Sequence, residues 1–124
     1  STVDYEGDGD TTEGLAGEIA TMREALYAAI QAYAEGTGNP IVYDSHAYPY
    51  FFADTDGDGL PSPGEANYGN RYQAWTPRLL KAAYNYQYAT KDPGAFAHNG
   101  KYTLELLYDS IQDLGGSVAG MVRP

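Results

Sequence analysis

Residues 54–65 read DTDGDGLPSPGE, and this stretch constrains the chain more than any other. Asp54, Asp56, Asp58 and Glu65 place four carboxylates in twelve residues with no base among them. Like charges this close repel, so the fold must supply something that offsets them. The spacing says what. An EF-hand loop offers oxygens from positions 1, 3, 5, 7, 9 and 12, with Gly at 6 for the sharp turn. Counted from Asp54, those positions are Asp54, Asp56, Asp58, the Leu60 carbonyl, Ser62 and Glu65, and Gly59 stands at 6. Every slot is filled. Hard oxygen donors in this number favour Ca²⁺ over Mg²⁺ or a transition metal. Two departures set the loop apart from a calcium sensor. Pro61 occupies position 8, where a paired EF-hand uses a residue with a free N–H, and the incoming YPYFFA reads as extended rather than helical. The expectation is a calcium brace. The bland alternative is a solvated Asp/Gly turn.

A second acidic stretch, DYEGDGDTTEGLAGE, opens the chain. Asp4, Glu6 and Asp8 repeat the 1-3-5 spacing, Gly9 follows, and Asp10 offers a further oxygen. Position 12 is Leu15, which is no ligand, so Glu13 or Glu18 would have to close the site. A frayed acidic terminus ahead of a helix explains the same residues without metal. Residues 4–18 and 54–65 together hold ten of the 17 acids and none of the seven bases. The net charge of −10 is therefore local, which favours cation sites over a diffusely acidic surface. It also argues against nucleic acid as a partner.

Around these loops the pattern is helical. Leu15, Ile19, Met22, Leu26, Ile30 and Tyr33 recur at steps of three or four, which predicts a helix from about Thr12 to Glu35, stopped by Gly36. Thr76-Pro77 is a capped start for a second helix running to about Thr90. Leu104, Leu107, Tyr108, Ile111 and Leu114 define a third, from about Asn99 to Leu114, ended by Gly115. Glu65 to Asn70 predicts one helical turn, Asp92-Pro93-Gly94 another turn, and PIVYDSHAYPYFFA two short extended pieces with little sheet. The fold class is mainly α: about three principal helices with long ordered Tyr-rich loops. The expected organisation is one calcium-binding helical domain over 1–124, with an acidic loop at 1–11 and an irregular tail at 115–124. No apolar run is long enough to cross a membrane, and no signal peptide opens the chain, which reads as a mature form or a piece of something longer.

No catalytic set converges. Ser45 adjoins His46 with no third member, GAFAHNGK at 94–101 has the wrong spacing for a phosphate loop, and the carboxylates are better used as calcium ligands. The expectation is a protein that is not an enzyme. Each of the two histidines, His46 and His98, reads either as a loop residue bonded to backbone or as a ligand to a metal or haem iron held elsewhere. The 13 tyrosines read first as buried rings with satisfied hydroxyls. Because Tyr84, Tyr86 and Tyr88 fall on more than one face of a helix and cannot all enter one small core, the alternative is a surface that packs on a partner, a sugar or a flat cofactor.

RYQAWTPRLLKAAYNYQYATKDPGAFAHNGKYTLELLYDSIQDLGG, residues 71–116, resembles the C-terminal region of large multihaem c-type cytochromes of bacteria and archaea. YDSHAYPYFFADTDGDG and VDYEGDGDTTEGLAGEI resemble the part just upstream. That family attaches haem through CxxCH, and this chain, with no cysteine, departs from it: it holds no covalent haem. The resemblance implies an exported chain in extracellular electron transfer, secreted, at the cell surface or periplasmic, with a packing, assembly or axial-ligand role. It also implies that His98, and less surely His46, caps a haem carried by another segment or chain. The alternative expectation is a calcium-dependent cell-surface module, binding protein or glycan or building fibres by self-assembly.

Overall fold

The computed structural model describes residues 3–7, 9, 14–91 and 99–124. Among the described residues, three helices pack on one another: α1 (Leu15–Gly36), α2 (Pro77–Lys91) and α3 (Gly100–Asp113). In α1, Ile19, Met22, Leu26, Ile30 and Ala34 are buried at helical spacing. Leu15 and Tyr33, expected on the same stripe, lie partly buried at its margin. The helix stops where expected. Thr37 donates its N–H to the carbonyls of Tyr33 and Ala34, and Gly38, at φ +85°, turns the chain away. Residues 12 and 13 of the predicted helix lie outside the described residues.

Thr76 caps α2 as its sequence predicts: its Oγ1 accepts the Leu79 N–H at 3.1 Å. Leu79, Ala82, Ala83 and Ala89 face the core, and Asn85 spans to α3 through a buried 2.9 Å hydrogen bond to Ser110 Oγ. The α3 stripe is Leu104, Leu107 and Ile111, with Tyr108 and Leu114 at its edge. Each fully buried aliphatic side chain contributes about 1.5–3 kcal/mol of burial. The fold is mainly α with little sheet, and among the described residues that sheet is one short antiparallel hairpin. Its strands are β1 (Ile41–Tyr43) and β2 (Phe51–Ala53), with Val42 opposite Phe52 and both buried. A third segment lies along β2: Phe52 bridges Arg71, and the Tyr72 N–H donates to the Phe51 carbonyl at 2.9 Å. The single helical turn expected after Glu65 is a 3-10 turn at Tyr68–Asn70. The turn expected at Asp92-Pro93-Gly94 lies outside the described residues.

The tyrosines divide. Tyr27, Tyr43 and Tyr86 form an inner aromatic group, with Tyr27 stacked on Tyr86 at 5.4 Å and Tyr43 edge-on to Tyr86 at 5.1 Å. Phe51 and Trp75 continue it at 5.6 Å. Burial, and the nearby Tyr86 and Tyr50, push the Tyr43 hydroxyl up to about 12. Tyr48 and Tyr84, by contrast, are 73% and 72% exposed. Residues 114–124 form no helix or strand. They return to the core through Val118 and Met121, to the N-terminal loop through a 2.8 Å bond from the Val122 N–H to the Tyr5 carbonyl, and to α3 through Arg123.

Candidate metal centres

The 54–65 loop leaves β2 at Ala53 and begins at once with Asp54, whose N–H donates to the Pro40 carbonyl at 3.0 Å. The approach is a strand, as the β-branched and aromatic run before it predicts. Carboxylate oxygens of Asp54, Asp56, Asp58 and Glu65 all come within 4.8 Å of one another, a spacing that could hold a metal ion. Asp54 and Glu65 are buried, Asp56 and Asp58 exposed. Gly57 and Gly59, at φ +72° and +74°, make the reversal, and the Gly59 N–H donates to Asp54 Oδ2 at 2.8 Å. The Ser62 hydroxyl lies 2.6 Å from Asp56 Oδ2 and 3.0 Å from Asp58 Oδ2, with one proton to share between them. Glu65 accepts from the Ser62 N–H at 2.7 Å and from the Thr55 N–H and hydroxyl at 2.7 and 3.0 Å. Of the six predicted ligand positions, the four carboxylates cluster, and Ser62 bonds to three of them, Asp56, Asp58 and Glu65; Leu60, expected to give its carbonyl, exposes its side chain.

The electrostatics of this loop are mixed. Burial pushes Asp54 above the usual carboxylate range, and its Oδ1 is buried with no hydrogen-bond partner. The Ser62 hydroxyl holds Asp56 down at about 2. Burial raises Glu65, but the donors on Ser62 and Thr55 outweigh it and leave the group below its ordinary value.

Two further side chains fix the loop. Asn70 Nδ2 donates to the Ala53 and Glu65 carbonyls, both at 3.0 Å, and so ties the residue before the loop to its last residue. Gln31 Nε2, from α1, reaches the Gly59 carbonyl at 2.9 Å and the Ile41 carbonyl at 3.2 Å. Neither residue carries a local signal in the sequence.

At the N-terminus, Asp4, Glu6 and Glu18 place carboxylate oxygens within 4.8 Å of one another. Glu18 comes from the first turn of α1, so it, rather than a residue at position 12, meets the loop. Its Oε2 accepts the Glu6 N–H at 3.0 Å. Asp4 accepts from Gly7 and Gly9 at 2.9 and 2.7 Å. Asp8, Asp10 and Glu13, the other expected ligands, lie outside the described residues.

His46 is exposed in the β1–β2 connection, where its N–H donates to Asp44 Oδ1 at 2.9 Å. His98 lies outside the described residues. Among the described residues, no helix is long and apolar enough to cross a membrane.

Over 109 residues, 82% of this chain, the sequence is 31% identical to the C-type polyheme cytochrome OmcC of Geobacter sulfurreducens. It is also 31% identical over 106 residues to the C-type polyheme cytochrome OmcB from two strains of that species. In each case the match spans only 14% of the cytochrome. The chain is thus homologous to a small part of these polyhaem cytochromes, as its residue patterns imply. No family model and no solved structure matches it. With no cysteine, this sequence carries no CxxCH site for covalent haem.

Proposed function

We propose that this chain is a calcium-braced, haem-free domain that serves a polyhaem cytochrome, packing against it or assisting its assembly in extracellular electron transfer. One observation carries the reading: a cysteine-free chain is 31% identical, across most of its length, to a segment of proteins named as polyhaem cytochromes. In this chain, which has no cysteine, the segment would contribute fold rather than covalent haem. The 54–65 loop supports the calcium part. It gathers hard oxygens only, in the EF-hand order, and its buried Asp54 Oδ1 lacks any donor. The ion would stiffen the turn that joins β2 to the segment before α2, and the domain surface would be held from behind. Catalysis forms no part of the proposal. The exposed His46 is a candidate axial ligand to a partner's haem, together with His98. Export, to the cell surface or periplasm, belongs to the same reading.

The test is immunocapture of the native protein from cells that make it, with haem absorbance read on the captured material. Haem recovered with the chain, in the same polypeptide or a bound one, is the expected result. Capture of a haem-free chain with no cytochrome attached would overturn the cytochrome role. Calcium is tested separately, by melting the protein in excess Ca²⁺ and in chelator; equal melting temperatures would remove the brace. A second reading, a calcium-dependent module for protein or glycan, is favoured by the solvent-facing Tyr48 and Tyr84. A glycan array probed with calcium and with chelator separates the two.

A further inference from the structure

We infer that Asp4, Glu6 and Glu18 form a second site for a hard divalent cation, and that its ion fastens residues 4–7, Gly9 and residues 120–123 to helix α1. Three carboxylates already converge there. The independent sign is what two of them lack. Glu18 is fully buried, with Oε1 unpartnered, and Glu6 is 6% exposed, with both carboxylate oxygens unpartnered. Among the described residues neither makes an ion pair. A helix N-terminus attracts an acid, but it does not account for two buried carboxylates facing one another with three free oxygens. A cation bridging them does.

The loop also repeats the backbone of the 54–65 turn. Gly7 and Gly9 have φ of +81° and +89°, against +72° and +74° for Gly57 and Gly59. The N–H of Gly9 donates to Asp4 Oδ2 at 2.7 Å, as that of Gly59 does to Asp54 Oδ2 at 2.8 Å. The difference is the closing acid. Glu65 belongs to its own loop, whereas Glu18 is offered by a helix, so an ion here would join loop to helix. Tyr5, between two ligands, accepts the Val122 N–H through its carbonyl, and a Cβ on Gly7 would overlap the Gly120 carbonyl. Holding the loop therefore holds the returning tail.

The site stands apart from the 54–65 loop, and one experiment separates them. The whole chain, stripped with chelator, is titrated with CaCl₂ to about 1 mM, the range of extracellular modules, and ions are counted by native mass spectrometry. Glu18→Gln, Glu6→Gln and the double variant Asp54→Asn/Glu65→Gln are run beside it. The double variant should keep one ion, and Glu18→Gln should lose that one. Calcium should slow hydrogen exchange at the Gly9 and Val122 amides at least tenfold in the double variant, and not in Glu18→Gln. Glu6→Gln should repeat the loss if Glu18→Gln does not fold. No calcium bound to the double variant, or unchanged exchange at Val122, overturns the inference. One ion on the wild type that survives in the double variant supports this site while removing the other.

Discussion

The two acidic loops begin alike and are held in opposite ways. In 54–65, most carboxylate oxygens already have a donor: the Gly59 N–H on Asp54, the Asp58 N–H on Asp56, the Leu60 N–H on Asp58, the Ser62 hydroxyl shared between Asp56 and Asp58, and Thr55 and Ser62 on Glu65. In the N-terminal loop, Asp4 is served by Gly7 and Gly9, while Glu6 and Glu18 keep three buried oxygens without one. The first loop is preorganised before any ion arrives. The second is completed only by an ion or by protons. The pKa directions follow. Glu65 lies below its ordinary value because its donors outweigh burial, and Glu18 lies above because burial outweighs its single backbone donor. Acid-rich spacing alone therefore does not say how a loop is held before its ion arrives; the donors that its carboxylates already have do.

Calcium removal should give the largest effect. An ion at about 100 times its Kd stabilises the folded state by ~2.7 kcal/mol per site. For a chain this size each site corresponds to a melting shift of roughly 10 °C. Differential scanning calorimetry in calcium and in chelator reads the sum, and the site variants divide it. A shift that disappears in Asp54→Asn/Glu65→Gln would place all the binding in the preorganised loop and break the comparison.

Asn70→Ala should come next. It removes both donors that clamp Ala53 to Glu65, with an expected loss of about 1–3 kcal/mol. The effect should be local: calcium affinity of the 54–65 loop falls, while exchange at Val122 is unchanged. Denaturant unfolding with a calcium titration checks it.

Asn70 also marks where sequence reading stops. The helices were legible because their apolar residues repeat at helical spacing and Thr76-Pro77 and Gly115 sign their ends. The strand before Asp54 was legible from its β-branched and aromatic run. The loop's ligand order was legible because it is contiguous. Asn70 and Gln31 were not, because each matters only once a distant carbonyl has been folded beside it. Glu18 was an alternative to Glu13 until the first turn of α1 was seen to bring its carboxylate to the loop.

A smaller effect sharpens the comparison through pH. In metal-free protein, Glu18 binds its proton more tightly folded than unfolded, since its value lies above 4.5. Stability from this group therefore rises as pH falls from neutral toward 4.5, and is lost as pH rises through the raised value. Glu18→Gln, which resembles the protonated form, should be more stable than the wild type in chelator at neutral pH. The gap should close as pH falls. Glu65→Gln should show no such gain at neutral pH, because ionised Glu65 is the form its donors prefer. Parallel melting curves for the two variants across pH 4.5–7 would erase the distinction between the loops.

The smallest effect lies at the other end of the clasp. Arg123 meets Asp109 through two bonds of 2.8 and 3.0 Å and Glu105 at 3.2 Å, tying the tail to α3. Both sides of the Asp109 pair are about half exposed, at 47% and 50%, so solvent screens most of the attraction. Hydrogen bonding from Arg123 holds Asp109 below 3.8, so the pair's contribution is present above that value and is lost as pH falls through the depressed one. Arg123→Ala should lower the melting temperature by only about 1–2 °C at low salt, and less in high salt. If the N-terminal ion holds the tail through Tyr5 and Gly7, Val122 should stay protected in this variant as long as calcium is present. Protection lost with Arg123 alone would mean that α3, rather than the cation site, anchors the tail.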